Sequence, residues 1–304
     1  MKPVRIDLSR YVVIPVWYGC NSKCLICMLS SVRGNLQPIG FEVFKDLVIK
    51  VVNEGKVKNL VLSGGEVTTF DHLVSYVEFV ASFGYFEKIQ VQTNARKLKD
   101  RDYLKSLINA GVNEFFISLH GPAAINDAIT GIDGSYEETI RGIGNLEEFP
   151  VNIITNTVLT RLNAYYVPQL LTDICATKVS EMHLWNFFPM EGADPKNLIV
   201  GLKDLLGLLQ RLLPTLKSAG KPLVLKAFPE CLPVRSPVVV DSDFPLTLIP
   251  DIFWKGLQKS GFGACVYRNE CRAERCWGLS RPYLEKYGGE RDVLKPFRQT
   301  EVPQ

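Results

Sequence analysis

The sequence predicts an α/β fold built on a parallel sheet, and the order of its apolar segments is the main observation behind that prediction. Six strand-like runs alternate with helix-like segments between residues 12 and 218. Strands that alternate with helices are typical of parallel sheets, because a connection between parallel strands has to cross over the sheet. The 304 residues, 46% of them hydrophobic, are sufficient for one large domain with a smaller appendage.

The six predicted units follow one another in regular order. The predicted strands are 12–17, 57–62, 88–93, 114–119, 152–159 and 181–187, and the predicted helices are 41–53, 71–83, 100–110, 135–149, 164–175 and 198–218. Gly111 follows the third helix at the position where glycine usually ends a helix. Ser135 and Glu138 have the spacing of a capping box at the start of the fourth helix.

Composition excludes several classes of protein. A net charge of +3 with no basic run is too mild to predict nucleic-acid binding. No run approaches the roughly 20 apolar residues that a membrane span needs, and the first seven residues have no apolar signal core. We therefore expect a cytoplasmic protein with no nucleic-acid or membrane partner. In a cytosolic chain, eight cysteines indicate metal or redox chemistry more than disulfides.

Three of these cysteines, Cys20, Cys24 and Cys27, are spaced C-x3-C-x2-C directly after the first predicted strand. A cubane iron–sulfur cluster takes four thiolates, so three cysteines leave one iron open to another ligand. Reactive metal sites keep such an open position, whereas structural sites are closed. Gly64, Gly65 and Glu66 follow the second predicted strand. Glycines there permit close backbone approach, and a carboxylate complements an ammonium group.

This combination resembles the radical S-adenosylmethionine (SAM) superfamily over roughly residues 1–230. The resemblance implies a partial (β/α)6 TIM-like barrel over residues 1–220, followed by a small Cys-rich C-terminal extension over residues 221–304. It also implies a [4Fe–4S] cluster that Cys20, Cys24 and Cys27 ligate and whose fourth iron binds SAM.

The resemblance further implies which residues contact SAM. Ile26 stands where the family usually has an aromatic residue, so apolar contact with adenine survives without ring stacking. The remaining expected contacts are Gly64, Gly65, Glu66, Thr93, Asn94, Ser118, Asn156 and Trp185. The Gly-x-Ile-x-Gly-x-x-Glu pattern that some relatives carry at the fifth strand is absent. His120 follows the fourth strand and is a candidate catalytic residue, with a purely structural role as the alternative.

A second cysteine group, Cys265, Cys271 and Cys276, resembles the C-terminal extensions called SPASM or twitch domains. With Cys231 it offers four thiolates, enough for one auxiliary [4Fe–4S] cluster. Cys231 is either the fourth ligand or a free thiol that returns a hydrogen atom to a substrate radical. A zinc site with four thiolates is the structural alternative.

The activity that the resemblance implies is reductive cleavage of SAM, which gives methionine and a 5′-deoxyadenosyl radical that abstracts a hydrogen atom. An external donor of the flavodoxin or ferredoxin type supplies the electron. The expected substrate is a peptide or protein side chain, which is oxidised, cross-linked or epimerised. A small molecule such as an aminoglycoside, nucleotide or cofactor precursor is the alternative, favoured by the roughly ten residues before the first strand. A third interpretation is a non-catalytic zinc or electron-transfer module, but the Gly-Gly-Glu segment argues against it.

Overall fold

A parallel sheet runs through most of the chain in the computed structural model, which describes residues 8–190, 192–248, 251–259 and 261–297. Residues 1–7, on which the expectation of no signal core rests, lie outside the described part. Within that part the sheet contains nine strands: β1 Tyr11–Trp17, β2 Asn59–Gly64, β3 Lys88–Thr93, β4 Glu114–Ser118, β5 Asn152–Leu159, β6 Glu181–Asn186, β7 Leu223–Lys226, β8 Val238–Asp241 and β9 Leu246–Thr247.

The strand order shows that the sheet curls toward a barrel. Its order is β8-β7-β6-β5-β4-β3-β2-β1-β9, and all neighbouring pairs are parallel. If the sheet were flat, its two outer strands would lie about 38 Å apart, eight spacings of about 4.8 Å. The segment from Asp241 to Leu246 joins them and spans at most about 18 Å. The two edges of the sheet therefore approach each other.

Nine α-helices in the described residues accompany these strands. They are α1 Phe41–Glu54, α2 Leu73–Ala81, α3 Arg101–Ala110, α4 Ala123–Thr130, α5 Ser135–Leu146, α6 Val167–Cys175, α7 Leu202–Ala219, α8 Asp251–Lys259 and α9 Arg281–Tyr287. Alternate strand residues such as Val12, Ile14 and Leu184 pack with helix residues in the main hydrophobic core. The residues between them, such as Val13 and His183, line the interior of the curled sheet. Both faces of the sheet are thus buried, as in other parallel sheets.

The predicted fold class is confirmed, and the sheet has three strands beyond those of the six predicted strand–helix units. Two details of the prediction are wrong. The predicted elements include no helix between the fourth strand and Ser135, where α4 lies. The expected capping box at the start of α5 does not form, because Gly134 is the N-cap residue and the Glu138 carboxylate pairs with Arg96 instead.

The C-terminal region contributes to the sheet and also packs against α7. Residues 223–247 supply β7, β8 and β9, all of which pair within the barrel sheet. Further along, the Tyr283 hydroxyl and the Glu290 carboxylate accept hydrogen bonds from the Leu202 N–H at the start of α7, at 2.8 and 2.9 Å. The division into a barrel over residues 1–220 and an extension over residues 221–304 stays a prediction. Among the described helices, none is both long enough and apolar enough to cross a membrane.

Candidate active site

The loop that carries the first three cysteines is held by backbone hydrogen bonds from two sides. At the end of β2, the Gly65 N–H donates to the Trp17 carbonyl at 2.7 Å, and the Glu66 N–H donates to the Gly19 carbonyl at 2.8 Å. On its other side the loop donates two backbone hydrogen bonds, both of 2.8 Å, to the last turn of α4. The sheet and α4 therefore fix the path of the loop.

The last residue of β2, Gly64, and the next residue, Gly65, are required to be glycine by close packing against this loop. Gly64 has a φ of +139°, and a Cβ atom on it would lie 1.9 Å from the Trp17 carbonyl oxygen. A Cβ atom on Gly65 would lie 2.3 Å from the Gly19 carbonyl oxygen. Any larger residue would force the loop away from the end of the strand.

Cys20, Cys24 and Cys27 line one cavity of about 220 Å³. Burial raises the pKa of the Cys20 thiol, and it raises the pKa of Cys24 to about 12. Hydrogen bonds also reach the sulfurs, because Arg33 donates to Cys27 Sγ at 3.0 Å and the Ser22 N–H donates to Cys20 Sγ at 3.4 Å. Cysteine ligates a metal as the thiolate and not as the thiol, so a bound cation would be needed to stabilise the charged form of these buried groups.

Glu66 lines the same cavity and ties β2 to β3. Its Oε1 atom accepts hydrogen bonds from the N–H and hydroxyl of Thr68, at 3.1 and 2.6 Å, and from the Thr93 hydroxyl at 2.6 Å. Its Oε2 atom accepts one from the Asn94 N–H at 2.6 Å. Burial raises the pKa of Glu66, while these hydrogen bonds oppose the shift. Since each carboxylate oxygen has about two acceptor sites, Oε2 retains capacity for one further donor.

The side chains of Thr93 and Asn94 are engaged with the protein itself. Thr93 uses its hydroxyl on Glu66, as described, and accepts from the Ala95 N–H at 2.9 Å. Asn94 Nδ2 donates to Asn21 Oδ1 at 2.7 Å and to Ser22 Oγ at 3.3 Å, inside the cysteine loop. Both residues line the cavity, and their contacts brace its wall.

Three further predicted contacts, Ile26, Ser118 and Asn156, also line this cavity. Ile26 is buried and packs in a small apolar cluster with Ile129 and Leu198. The Oδ1 atom of Asn156 is buried and has no hydrogen-bond partner. An orphaned acceptor of this kind is costly unless a ligand satisfies it.

His120 lies in the wall of the same cavity as a buried, neutral ring. Burial lowers its pKa to about 4. Its Nδ1 atom accepts a hydrogen bond from the Val158 N–H at 3.3 Å, so the proton of the neutral ring lies on Nε2. The backbone of His120 is also fixed, because its carbonyl accepts from Asn163 Nδ2 at 2.7 Å.

A larger cavity of about 360 Å³ fills the interior of the curled sheet and adjoins the first. The two cavities share five lining residues, which are Cys27, Leu29, Gly64, Gln92 and Phe116. Much of its wall is aromatic, from Trp185, Phe188, Phe244, Phe253, Trp254 and Trp277. Trp185, predicted as a SAM contact, lines this cavity and is not part of the smaller cavity's wall among the described residues.

Lys226 is the one Lys or Arg side chain among the described residues that line the larger cavity. It is fully buried, and its ammonium group lies 3.5 Å from Asp241 Oδ2 and donates to the Asp243 carbonyl. The same group lies 4.8 Å from the centroid of the Phe244 ring. A buried cation needs such partners, and here they balance its charge.

The second cysteine group surrounds a separate cavity of about 220 Å³, which Cys231, Cys265, Cys271 and Cys276 line together. Backbone N–H groups of Glu230 and Gly278 donate to Cys276 Sγ at 3.4 and 3.3 Å. Burial raises the pKa of Cys231 to about 12, and the neighbouring cysteines add to the shift. In the described residues, no group of three or more His, Cys, Asp or Glu side chains is arranged to hold a single metal ion.

The comparison with family models decides the class of the protein. The model described as "Radical SAM superfamily" matches residues 14–171, just over half of the chain. The chain belongs to the radical SAM superfamily. Membership makes it an enzyme and implies a [4Fe–4S] cluster that binds SAM. Members of this superfamily act on peptides or small molecules and take electrons from an external reductant.

Curated relatives share part of this sequence. A probable GTP 3′,8-cyclase of Saccharolobus islandicus is 28% identical over 179 residues, which are 58% of this chain and 56% of that protein. The Fe-coproporphyrin III synthase of Methanosarcina barkeri is 24% identical over 165 residues, 54% of this chain and 40% of the other. The chain thus spans about half the length of the curated relatives it matches.

Solved structures show the same fold at low identity. SuiB of Streptococcus suis, bound to its precursor peptide SuiA, aligns with a TM-score of 0.59 and 16% identity over 76% of this chain and 48% of that one. The structure described as native anSMEcpe with bound AdoMet aligns with a TM-score of 0.58 and 20% identity over 71% of this chain and 63% of the other.

The residues present fit the cofactor of the superfamily. The smaller cavity presents three thiols as metal donors, a carboxylate with remaining acceptor capacity and the orphaned Asn156 amide oxygen. Sulfonium, ammonium and hydroxyl groups of SAM would meet complementary partners there. This radical SAM chain therefore has a cavity of suitable chemistry at the carboxyl ends of its strands.

Sequence reasoning missed three residues that stand out in the two cavities, namely Arg33, His183 and Lys226. Arg33 bonds to a cysteine sulfur from six residues further along the chain, a distance at which the sequence gives no signal. A signal did exist for His183, because it alternates with buried apolar residues along β6 and so faces the sheet interior with Trp185.

Proposed function

We propose that Cys20, Cys24 and Cys27 ligate the [4Fe–4S] cluster, and that the larger cavity holds the substrate. The observation that carries this proposal is the shared wall, since Cys27, Gly64 and Phe116 each face both cavities. When bound, the cluster and SAM supply a 5′-deoxyadenosyl radical that abstracts a hydrogen atom. A substrate in the larger cavity would lie next to that chemistry.

Glu66 is the proposed partner of the SAM ammonium group, through its Oε2 atom. The bonds from Thr68, Thr93 and Asn94 hold the carboxylate in one orientation, so little reorganisation accompanies binding. Asn156 is assigned to a hydroxyl of the ribose, and Ile26 to the face of the adenine. Thr93, Asn94 and Ser118 shape the cavity wall.

His120 is assigned a positioning role rather than proton transfer in turnover. Its low pKa keeps the ring neutral at physiological pH, and its Nδ1 atom is engaged by the Val158 N–H. The Nε2–H group is left as a hydrogen-bond donor in the cavity wall. A donor there suits the SAM carboxylate or a ribose oxygen.

A neutral, largely apolar group is the proposed part of the substrate that enters the larger cavity, and a peptide or protein side chain is the first candidate. The aromatic wall supports this, as does the pairing of Lys226 with Asp241. Similarity in fold to SuiB bound to a precursor peptide is consistent with it. A nucleotide such as GTP, suggested by the GTP 3′,8-cyclase relatives, is the second candidate. Its triphosphate would need several unpaired cations, which the described wall of this cavity does not offer.

The second cysteine group is proposed to hold an auxiliary [4Fe–4S] cluster with Cys231 as the fourth ligand. Cys231 lines the same cavity as Cys265, Cys271 and Cys276 and is absent from the described wall of the substrate cavity. That position supports ligation over hydrogen-atom donation. Thiols that surround a cavity suit a cluster in which each sulfur binds a different iron, whereas a zinc site draws its ligands to one point.

Anaerobic reconstitution with iron and sulfide tests the proposed function. With dithionite and SAM, the full chain should release 5′-deoxyadenosine, and the iron content should approach about eight atoms per chain for two cubane clusters. Protein that binds zinc but no iron, and leaves SAM intact, would contradict the proposal. Adding GTP separates the substrate candidates, because a strong rise in 5′-deoxyadenosine with GTP would overturn the assignment of a neutral substrate.

A further inference from the structure

Two polar atoms of the larger cavity's wall are buried and have no hydrogen-bond partner. They are His183 Nδ1 and Trp185 Nε1, and both residues line the cavity. The side chain of His183 is more than nine-tenths buried. The two residues are two positions apart in β6, so they project from the same face with Cα atoms about 6.7 Å apart. Orphaned buried polar atoms are rare in folded proteins, so two in one wall indicate a ligand.

Glu181 determines what His183 offers to that ligand. The Nε2 atom of His183 lies 2.5 Å from Glu181 Oε1, and both side chains are buried. A carboxylate accepts hydrogen bonds, so Nε2 is the donor to Glu181, and in the neutral form of the ring Nδ1 is then an acceptor. The indole N–H of Trp185 can only donate. The wall therefore presents one acceptor and one donor side by side.

Several other polar groups inside the same sheet are paired within the protein. Near the start of the strands, Glu114 Oε1 accepts from the Tyr11 hydroxyl at 2.8 Å and from Gln90 Nε2 at 2.7 Å. Its Oε2 atom accepts from Asn152 Nδ2 at 2.6 Å. These side chains near the start of the strands are paired with one another, whereas the two atoms further along β6 have no partner.

The chemistry of the wall specifies the group that fits. It must be neutral, because the charge of Lys226 is balanced by Asp241. It must carry a donor for His183 and an acceptor for Trp185. A trans secondary amide has both, on opposite edges of one planar group, so it can contact two partners that lie two positions apart on the same strand.

We propose that His183 and Trp185 recognise a trans secondary amide of the substrate, whose N–H donates to His183 Nδ1 and whose carbonyl accepts from Trp185 Nε1. This is the group that joins residues in a peptide. The inference rests on the proposed function in one respect, namely that this cavity is the substrate site. Glu181 acts as a positioning residue that fixes the tautomer of His183.

Two matched probes test the inference by calorimetric titration of the reconstituted, SAM-bound full chain. N-Methylbenzamide and methyl benzoate have the same shape, but the ester has an oxygen where the amide has its N–H. We expect the amide to bind about 2- to 10-fold more tightly, the usual net effect of one hydrogen bond between neutral groups. In His183→Leu that preference should disappear. In the matched control His72→Leu, which changes an exposed histidine before α2, it should persist.

Trp185→Phe gives an independent signature, because it removes the donor and keeps an aromatic ring. Both probes have a carbonyl, so both should bind more weakly by a similar factor while the ratio of their affinities stays the same. His183→Asn retains a side-chain acceptor and should restore part of the preference for the amide. A merely structural role of the two residues would not separate the probes in this way.

Three results would overturn the inference: an unchanged preference in His183→Leu, no binding of either probe to the wild-type chain, or a preference found instead for a cis lactam. The last is measured with 2-piperidone against δ-valerolactone. Release of 5′-deoxyadenosine is measured in parallel. Absence of discrimination by the wild-type chain, with intact SAM cleavage, would refute this inference alone, whereas discrimination without SAM cleavage would refute the proposed function.

Discussion

The two cysteine groups are held by different kinds of structure. The first lies in one short loop that β1, β2 and α4 fix through backbone hydrogen bonds, and Asn94 adds a side-chain contact from the end of β3. The second draws Cys231 from the segment after β7, and its other three cysteines from irregular chain between α8 and α9. Backbone N–H groups donate to Cys265 and Cys276 there, but no strand runs through the group.

This difference indicates which of the two sites is formed by the fold itself, before a cluster binds. The ends of the strands define the first cavity, so this cavity forms when the barrel folds. The structure around the second cavity depends more on the group that binds there, as in small domains where metal binding supplies folding free energy. Substitutions in the two groups should therefore have separable effects on SAM cleavage, product formation and stability.

Cys24→Ala should have the largest effect. It removes one of three thiolates from the first cluster, so cleavage of SAM should fall by at least about 1,000-fold, to the level of the unreconstituted protein. The measurement is 5′-deoxyadenosine released under dithionite, together with iron content. Cys175→Ala is the matched control, because Cys175 lies at the end of α6 outside both groups. Intact cleavage in Cys24→Ala would refute the assignment of the first site.

Cys276→Ala should affect the two activities unequally. The first cavity keeps all of its residues, so SAM cleavage should change by less than about 3-fold, while the iron content falls by about half, as expected from the loss of one of two clusters. Conversion of a substrate peptide, followed by mass spectrometry, should be lost. Equal loss of SAM cleavage and product formation would mean that the two regions are not separable. A point substitution is preferable to truncation near residue 230, which would also delete β8 and β9 from the sheet.

Gly65→Ala tests whether backbone packing prepares the first site. The added Cβ atom would lie 2.3 Å from the Gly19 carbonyl, so the loop must move at a cost of about 3 kcal/mol in the free energy of unfolding. Gly144→Ala is the control, because Gly144 lies in α5 with no atom near the added Cβ. That variant should gain about 0.5–1 kcal/mol from helix propensity. Urea unfolding measures both, and equal stability of the two variants would contradict the role given to Gly65.

Much of the fold could be predicted from the sequence because its main signals are local. The six predicted strands are apolar runs that alternate with helix-like segments. The first cysteine group and the Gly-Gly-Glu segment follow directly after the first and second of these strands. Strands β8 and β9 have only four and two residues, too short for periodicity to identify. Helix α4 begins after Pro122 with no side-chain cap, so its start has no capping signal.

The misassigned capping box illustrates a limit of local reasoning. Gly134, with a φ of +74°, takes the N-cap position, and the Ser135 hydroxyl donates to Asp127 at 2.7 Å. The hydrogen bonds of the Ser135 and Glu138 side chains are therefore made with Asp127 and Arg96, which lie outside α5. The same holds for the larger cavity, since only the curling of the sheet brings His183, Tyr11 and Lys226 to a common interior.

The smallest expected difference between the two regions lies in how each contributes to the pH dependence of the free energy of unfolding. His120 lines the first cavity, and no histidine is among the described residues that line the second. Burial lowers the pKa of His120 to about 4, against about 6.5 in the unfolded chain. As pH falls below 6.5 the unfolded chain binds the proton first, so this contribution to stability is complete above pH 6.5 and is lost between pH 6.5 and 4.

His120→Asn removes this contribution and keeps an acceptor for the Val158 N–H. Between pH 7.5 and 5, the wild-type chain should lose about 2 kcal/mol more of its free energy of unfolding than the variant, because each pKa unit corresponds to about 1.4 kcal/mol. Urea titrations at the two pH values measure the difference, with His72→Asn as the exposed control. Parallel pH profiles for wild type and His120→Asn would show that this ring is not held neutral by burial, and the positioning role proposed for it would lose its basis.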